Sequence, residues 1–180
     1  MVSHISRSIS GWNRDVYLSF RSRYAPERIR LAIIAESPPS SGKYFYDPAG
    51  IPSEHLFTAL MRQLGLSPRT KQDGLMEFQR NGWVLVDATY EPVNSLKTSS
   101  RNQIIVRDYP LLRDDLASLI PDRSVPLILI KANVCRLLEP RLLEDEFHVI
   151  NRGRAVYFPS TGRQKDFHQQ FGTIRLSAGI

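Results

Sequence analysis

The stretch Leu31-Ala32-Ile33-Ile34-Ala35-Glu36-Ser37-Pro38-Pro39 decides the fold of this chain. Its apolar run is too short for a helix, and it delivers an acid straight into a loop rich in Pro, Ser and Gly. A short apolar run bounded by turn residues reads as a strand buried on both faces, as in a parallel sheet. In open α/β sheets, ligands bind in the crevice beyond the carboxyl ends of such strands. Glu36 therefore falls where a site is expected. So do Ser40-Ser41-Gly42-Lys43 and the three rings of Tyr44-Phe45-Tyr46, whose chemistry suits a flat, polar-edged ligand such as a nucleobase.

Three more strands follow from the same pattern. Trp83 to Val86 ends at Asp87, Val125 to Ile130 ends at Lys131, and Ala155 to Phe158 ends in Pro159-Ser160-Thr161-Gly162. Helices fill the intervals. Trp12 to Tyr24 carries apolar residues at helical spacing until Pro26 breaks it. Ser53 to Leu64 is a strong amphipathic helix, with Ser53 as its cap. Gly74 to Asn81 is a short helix before the Asn81-Gly82 turn. Arg101 to Ile120 is helical in two pieces because of Pro110, and Asn133 to Leu143 is helical around Pro140. A last helix runs through Phe167 and Phe171. Alternating strands and helices imply a three-layer α/β/α domain with a four-stranded, mostly parallel sheet. The economical reading is a single domain over residues 1–180, with residues 1–28 as an N-terminal helical extension packed on it.

Composition narrows the partners. The chain has 180 residues, 42% hydrophobic and 23% charged, the balance of a globular domain. A formal net charge of +6 favours polyanionic partners such as nucleic acid. A single cysteine, Cys135, excludes an internal disulfide and a cysteine-held cluster, and points to a reducing, cytoplasmic setting. Met1 to Gly11 lacks the apolar centre of a signal peptide, and no run approaches the ~18 apolar residues of a membrane span. His4, His55, His148 and His168 show no metal-ligand spacing, so neither a metal nor another cofactor is expected. Ser41-Gly42-Lys43 is not a phosphate-binding P-loop, because the upstream Gly and the Ser or Thr after Lys are absent.

In order and spacing, the four strand ends resemble the uracil-DNA glycosylase superfamily. That family has a first motif of the form Gly-x-x-Pro-Gly, a stacking aromatic after it, a mid-chain strand ending in a base-reading Asn, and a final His-Pro-Ser-Pro. The likeness covers roughly Ile29 to Phe171. It implies that Glu36 orients or activates the hydrolytic water, and that Ser37 stands where other branches place Asp or Asn. Phe45, or its neighbour Tyr44 or Tyr46, would stack on the base. Asp87 falls at the position of the base-reading Asn, and Pro159 and Ser160 match the phosphate-gripping Pro-Ser. Two departures stand out: Phe158 replaces the motif's His, and Asp87 offers a donor beside an acceptor only when protonated.

The residue chemistry suits that role. Extruding a base costs a few kcal/mol, and stacking on a ring recovers ~1–3 kcal/mol. A carboxylate can stabilise an oxocarbenium-like sugar while positioning water. Lys43 and Arg163 are placed to meet phosphate. Asn94, on the loop after Asp87, is a second candidate for the base edge. Lys131, an uncommon residue at the end of a buried strand, would pair with Glu36 or Asp87 or bind phosphate. The expected function is hydrolysis of the N-glycosidic bond of a deaminated or damaged base in DNA. The rivals are a module that binds nucleic acid or a free nucleobase or nucleotide without cleaving it, and an α/β enzyme acting on a small anionic metabolite.

Overall fold

A computed structural model describes residues 13–180. Its centre is a three-stranded parallel sheet of β1 (Leu31–Ala35), β2 (Trp83–Asp87) and β3 (Leu127–Leu129), in the order β2-β1-β3. Leu31 pairs with Trp83 and Ala35 with Asp87, while Ala32 to Ile34 pair with Leu127 to Leu129. Every residue of the three strands is buried, as a sheet covered on both faces requires.

Alternation along the strands builds two separate cores. Leu31, Ile33, Trp83, Leu85 and Ile128 face one, with side chains from α2 (His55–Gln63), α3 (Lys71–Arg80) and α7 (Gln164–Ser177). Ala32, Ile34, Val84, Val86, Leu127 and Leu129 face the other, with side chains from α4 (Thr98–Arg107), α5 (Tyr109–Leu119) and α6 (Ala132–Glu144). The chain thus leaves β1 for one face and leaves β2 and β3 for the opposite face. The carboxyl ends of β1 and β3 flank a point where the outgoing connections diverge, the usual place for a ligand crevice.

Local chemistry explains most boundaries. Thr70 caps α3 by accepting from the Asp73 N–H at 3.1 Å. Gly82 closes the following turn at φ +72°, and a Cβ there would sit 2.8 Å from the Arg28 carbonyl oxygen. Pro110 lies in the first turn of α5, where no intrahelical N–H is missed. The α2 cap departs from expectation. The helix starts at His55, and the preceding Glu54 makes no capping bond because its carboxylate binds the buried Lys71 ammonium at 2.6 Å. Lys71 also donates to the Tyr44 carbonyl, fastening the aromatic loop to α3.

The N-terminal helix, α1 (Arg14–Ser22), docks through Tyr17 and through Arg21. The Arg21 guanidinium makes two bonds to Asp115 of α5, at 2.6 and 2.7 Å. Trp12 and His4 lie outside the described residues. No helix among the described residues is long and apolar enough to cross a membrane.

The expected fourth strand does not form. Residues 155–158 make no ladder; Val156 contributes one bond, accepting from the Lys131 N–H at 2.7 Å. The free edge of β3 is instead covered by residues 148–151. Leu127 donates to the His148 carbonyl and accepts from Ile150. At Leu129 the partner is a side chain. Asn151, fully buried, accepts from the Leu129 N–H at 2.8 Å and donates to its carbonyl at 3.1 Å, mimicking a strand residue. Asn151→Leu would leave the Leu129 N–H buried without a partner and its carbonyl with only the weak Cys135 thiol donor at 3.3 Å, so a loss of about 1–3 kcal/mol is expected, read as a lower denaturant midpoint at unchanged slope.

Candidate functional site

A cleft of about 520 Å³ opens at the carboxyl ends of β1 and β2, within the size range of small-molecule sites. Glu36, Ser37, Lys43 and Lys131 line it, together with Asp87 and Asn94. Tyr44 and Phe45 line it too, as do Phe158 and the first residues of α2. Residues far apart in sequence are thereby brought to one hole.

Glu36 follows β1 directly and is only 7% exposed. Its Oε2 accepts from the Lys131 ammonium, and its Oε1 accepts from the Asn133 amide at 2.8 Å. The Arg101 Nε lies 3.6 Å from Oε1. Two cations and an amide therefore surround one carboxylate. Of the partners that Lys131 was expected to choose between, it takes Glu36. Sequence reading gave no role to Asn133 or Arg101; Asn133 sits three residues past the end of an apolar run, which is the only signal it offers.

Lys131 has φ +84° and ψ 131°, a conformation that few residues other than glycine adopt. Its backbone N–H is fixed by Val156 and its ammonium by Glu36. Strain held in place from both ends, at a cleft, is characteristic of functional positions. Lys131→Gly relieves the backbone whereas Lys131→Ala does not. The glycine variant is thus expected to be the more stable of the two by about 1 kcal/mol in paired denaturation curves.

Asp87 ends β2 and is 4% exposed. Its Oδ2 is buried with no hydrogen-bond partner, in contrast to the engaged oxygens of Glu36. Burial pushes its carboxyl up to about 7, and the Arg21 guanidinium offsets only part of that effect. The folded state therefore holds a proton on Asp87 at pH values where the unfolded chain has lost it. Stability should fall as pH rises from about 4 through about 7. Asp87→Asn should remove that dependence, which a series of midpoints against pH would reveal.

The remaining expected residues divide into four groups. Ser37 and Asn94 line the cleft but also tie its walls together: Ser37 Oγ accepts from the Val93 N–H at 3.3 Å, and Asn94 Oδ1 from the Ser40 N–H at 2.8 Å. Tyr44 and Phe45 are 1% and 6% exposed and belong to the core as much as to the cleft. The Phe45 ring packs against Tyr46, Phe57 and Phe78 at centroid distances of 5.0 to 5.5 Å. Of the Phe and Tyr rings on the cleft, the most open is Phe158, at 36%. Lys43 is exposed on the wall. Pro159, Ser160 and Arg163 do not line the cleft. They lie on the turn just after Phe158, where Arg163 pairs with Asp166 at 2.8 Å and lies over the Tyr157 ring.

The arrangement can enclose a flat heterocycle. It offers rings, one fixed and neutralised carboxylate, one carboxyl with a free oxygen, and cations at the rim. The chain matches no protein-family model, no curated protein and no solved structure.

Proposed function

We propose that this chain is a divergent uracil-DNA-glycosylase-like protein that hydrolyses the N-glycosidic bond of a deaminated or damaged base in DNA. The observation that carries the reading is the meeting of Glu36, Asp87, Lys131 and the aromatic residues in one cleft at the divergence of the β1 and β3 connections. The short strand-end signatures predict that meeting. Residues 148–156, running beside β3, take the place of the fourth strand in this reading.

In this reading the extruded base lies over the floor formed by Tyr44 and Phe45, with Phe158 as the exposed ring beside it. Glu36 has two lone-pair positions filled, by Lys131 and Asn133, and a carboxylate has about four. The rest can accept from a water aimed at the sugar. Lys43 on the rim, with Arg163 and Ser160 beyond Phe158, meets the phosphates.

A specific observation favours the rival reading of a binding module. Lys131, Asn133 and Arg101 gather around Glu36 and engage both its oxygens, and Phe158 cannot stabilise charge on a departing base. Oligonucleotides carrying uracil, hypoxanthine or xanthine, single-stranded and duplex, separate the two. Alkali-labile sites are expected with at least one of them. Glu36→Gln should lower their yield at least about 100-fold while binding changes little. Salt-sensitive binding with no cleavage of any substrate would instead establish the module.

A further inference from the structure

We infer that Asp87 is the general acid of this site, giving its proton to the heterocycle as it leaves the sugar. The inference rests on the preceding reading, that the cleft holds a base whose glycosidic bond is hydrolysed, and it assigns a group that reading lacks. With Phe158 where the family's His would stand, nothing in the final turn can neutralise the departing base.

Geometry singles out Asp87. It closes β2, lines the cleft, and keeps Oδ2 buried with no partner. The other carboxylates lining the cleft are already engaged: Glu36 by Lys131 and Asn133, with Arg101 beside it, and Glu54 by the buried Lys71. Asp87 also lines a second cavity of about 280 Å³, bordered by Thr89, Tyr90 and Arg107. That gives the spent carboxylate a separate approach from solvent for taking up its next proton.

The groups facing Asp87 come from several elements. Arg21 and Tyr17 come from α1, Tyr44 and Tyr46 from the loop after β1, and Tyr90 from the loop after β2. Burial holds all four phenols above their ordinary range, so they stay neutral. Arg21 is itself paired to Asp115, which limits its pull on Asp87. Lys131 and Glu36, across the cleft, neutralise each other. Asp87 thus keeps its proton near neutrality, where an acid catalyst is most useful.

The step balances. The bond from the sugar C1′ to the base nitrogen breaks, and its electron pair goes to the base. The proton of the Asp87 carboxyl moves to the base. Water adds to C1′ and releases its proton to Glu36 or to solvent, and the Asp87 carboxylate is reprotonated from solvent.

Single-turnover base release by the full chain tests this, with the oligonucleotide found to be cleaved. From about pH 5 to about pH 9 the rate is expected to be level on the acid side and to fall tenfold per pH unit above about 7. Asp87→Asn keeps the shape but has no proton to transfer. It should slow release at least about 100-fold, remove the fall at high pH and leave binding within about threefold. Asp87→Glu, a second donor, should retain the falling limb. A level wild-type profile, or an Asp87→Asn variant that cleaves as fast as wild type or faster, overturns proton donation and leaves the glycosylase reading intact. Absence of release from every base at every pH removes both.

Discussion

The Glu36–Lys131 ion pair is the constraint on which the site depends. It joins the ends of β1 and β3, the two strands whose connections leave for opposite faces of the sheet. A carboxylate this buried is costly without partners, and stripping one partner from a buried pair costs about 3–5 kcal/mol. The protein surrounds it with a second cation and an amide. The backbone of Lys131 is bent into a glycine-like conformation to deliver that ammonium. A chain selected for stability alone would place glycine there; lysine at φ +84° implies that the side chain is needed.

The two acids at neighbouring strand ends are one residue apart in register: Ala35 pairs with Asp87, and Glu36 follows Ala35. Their surroundings differ. Glu36 sits among cations and donors, while Asp87 sits among tyrosine rings with one oxygen unpaired. The difference comes from the sheet. The loop after β3 brings Lys131 to the end of β1, whereas the edge strand β2 is flanked by α1 and the aromatic loop.

Much of this was legible in the sequence because the strands are short, wholly apolar and cut off by turn residues. The first strand begins at Leu31, two residues inside the Ile29 to Ala35 run that composition implies, the second runs Trp83–Asp87 where Trp83 to Val86 was expected, and the acids at their ends fall on one rim. The fourth strand was not legible. Its pairing at Leu129 is made by the side chain of Asn151, and no periodicity reports a side chain standing in for a peptide. The cap of α2 failed for a related reason: Glu54 is drawn to Lys71, 17 residues away, and local propensity yields to that tertiary bond. The Tyr44-Phe45-Tyr46 run announced rings near a site but not which way they point. In the fold Tyr46 turns its hydroxyl to the Leu85 N–H at 2.7 Å, closing the outer edge of β2, and Phe45 fills the core.

That use of the aromatic loop bears on how the cleft works. An edge strand with free N–H groups invites pairing with other chains. Tyr46 satisfies one of those groups from within, and Lys71 fastens the Tyr44 carbonyl from α3. The loop after β1 is therefore anchored to two elements before it reaches the cleft, and Asn94 and Ser37 fasten it to the loop after β2. A wall tied at four places does not rearrange cheaply when a ligand enters. The shape of the cleft is thus set by the fold, and preorganisation of this kind is what the proposed function would need for fixed charges to act on a reaction rather than follow it.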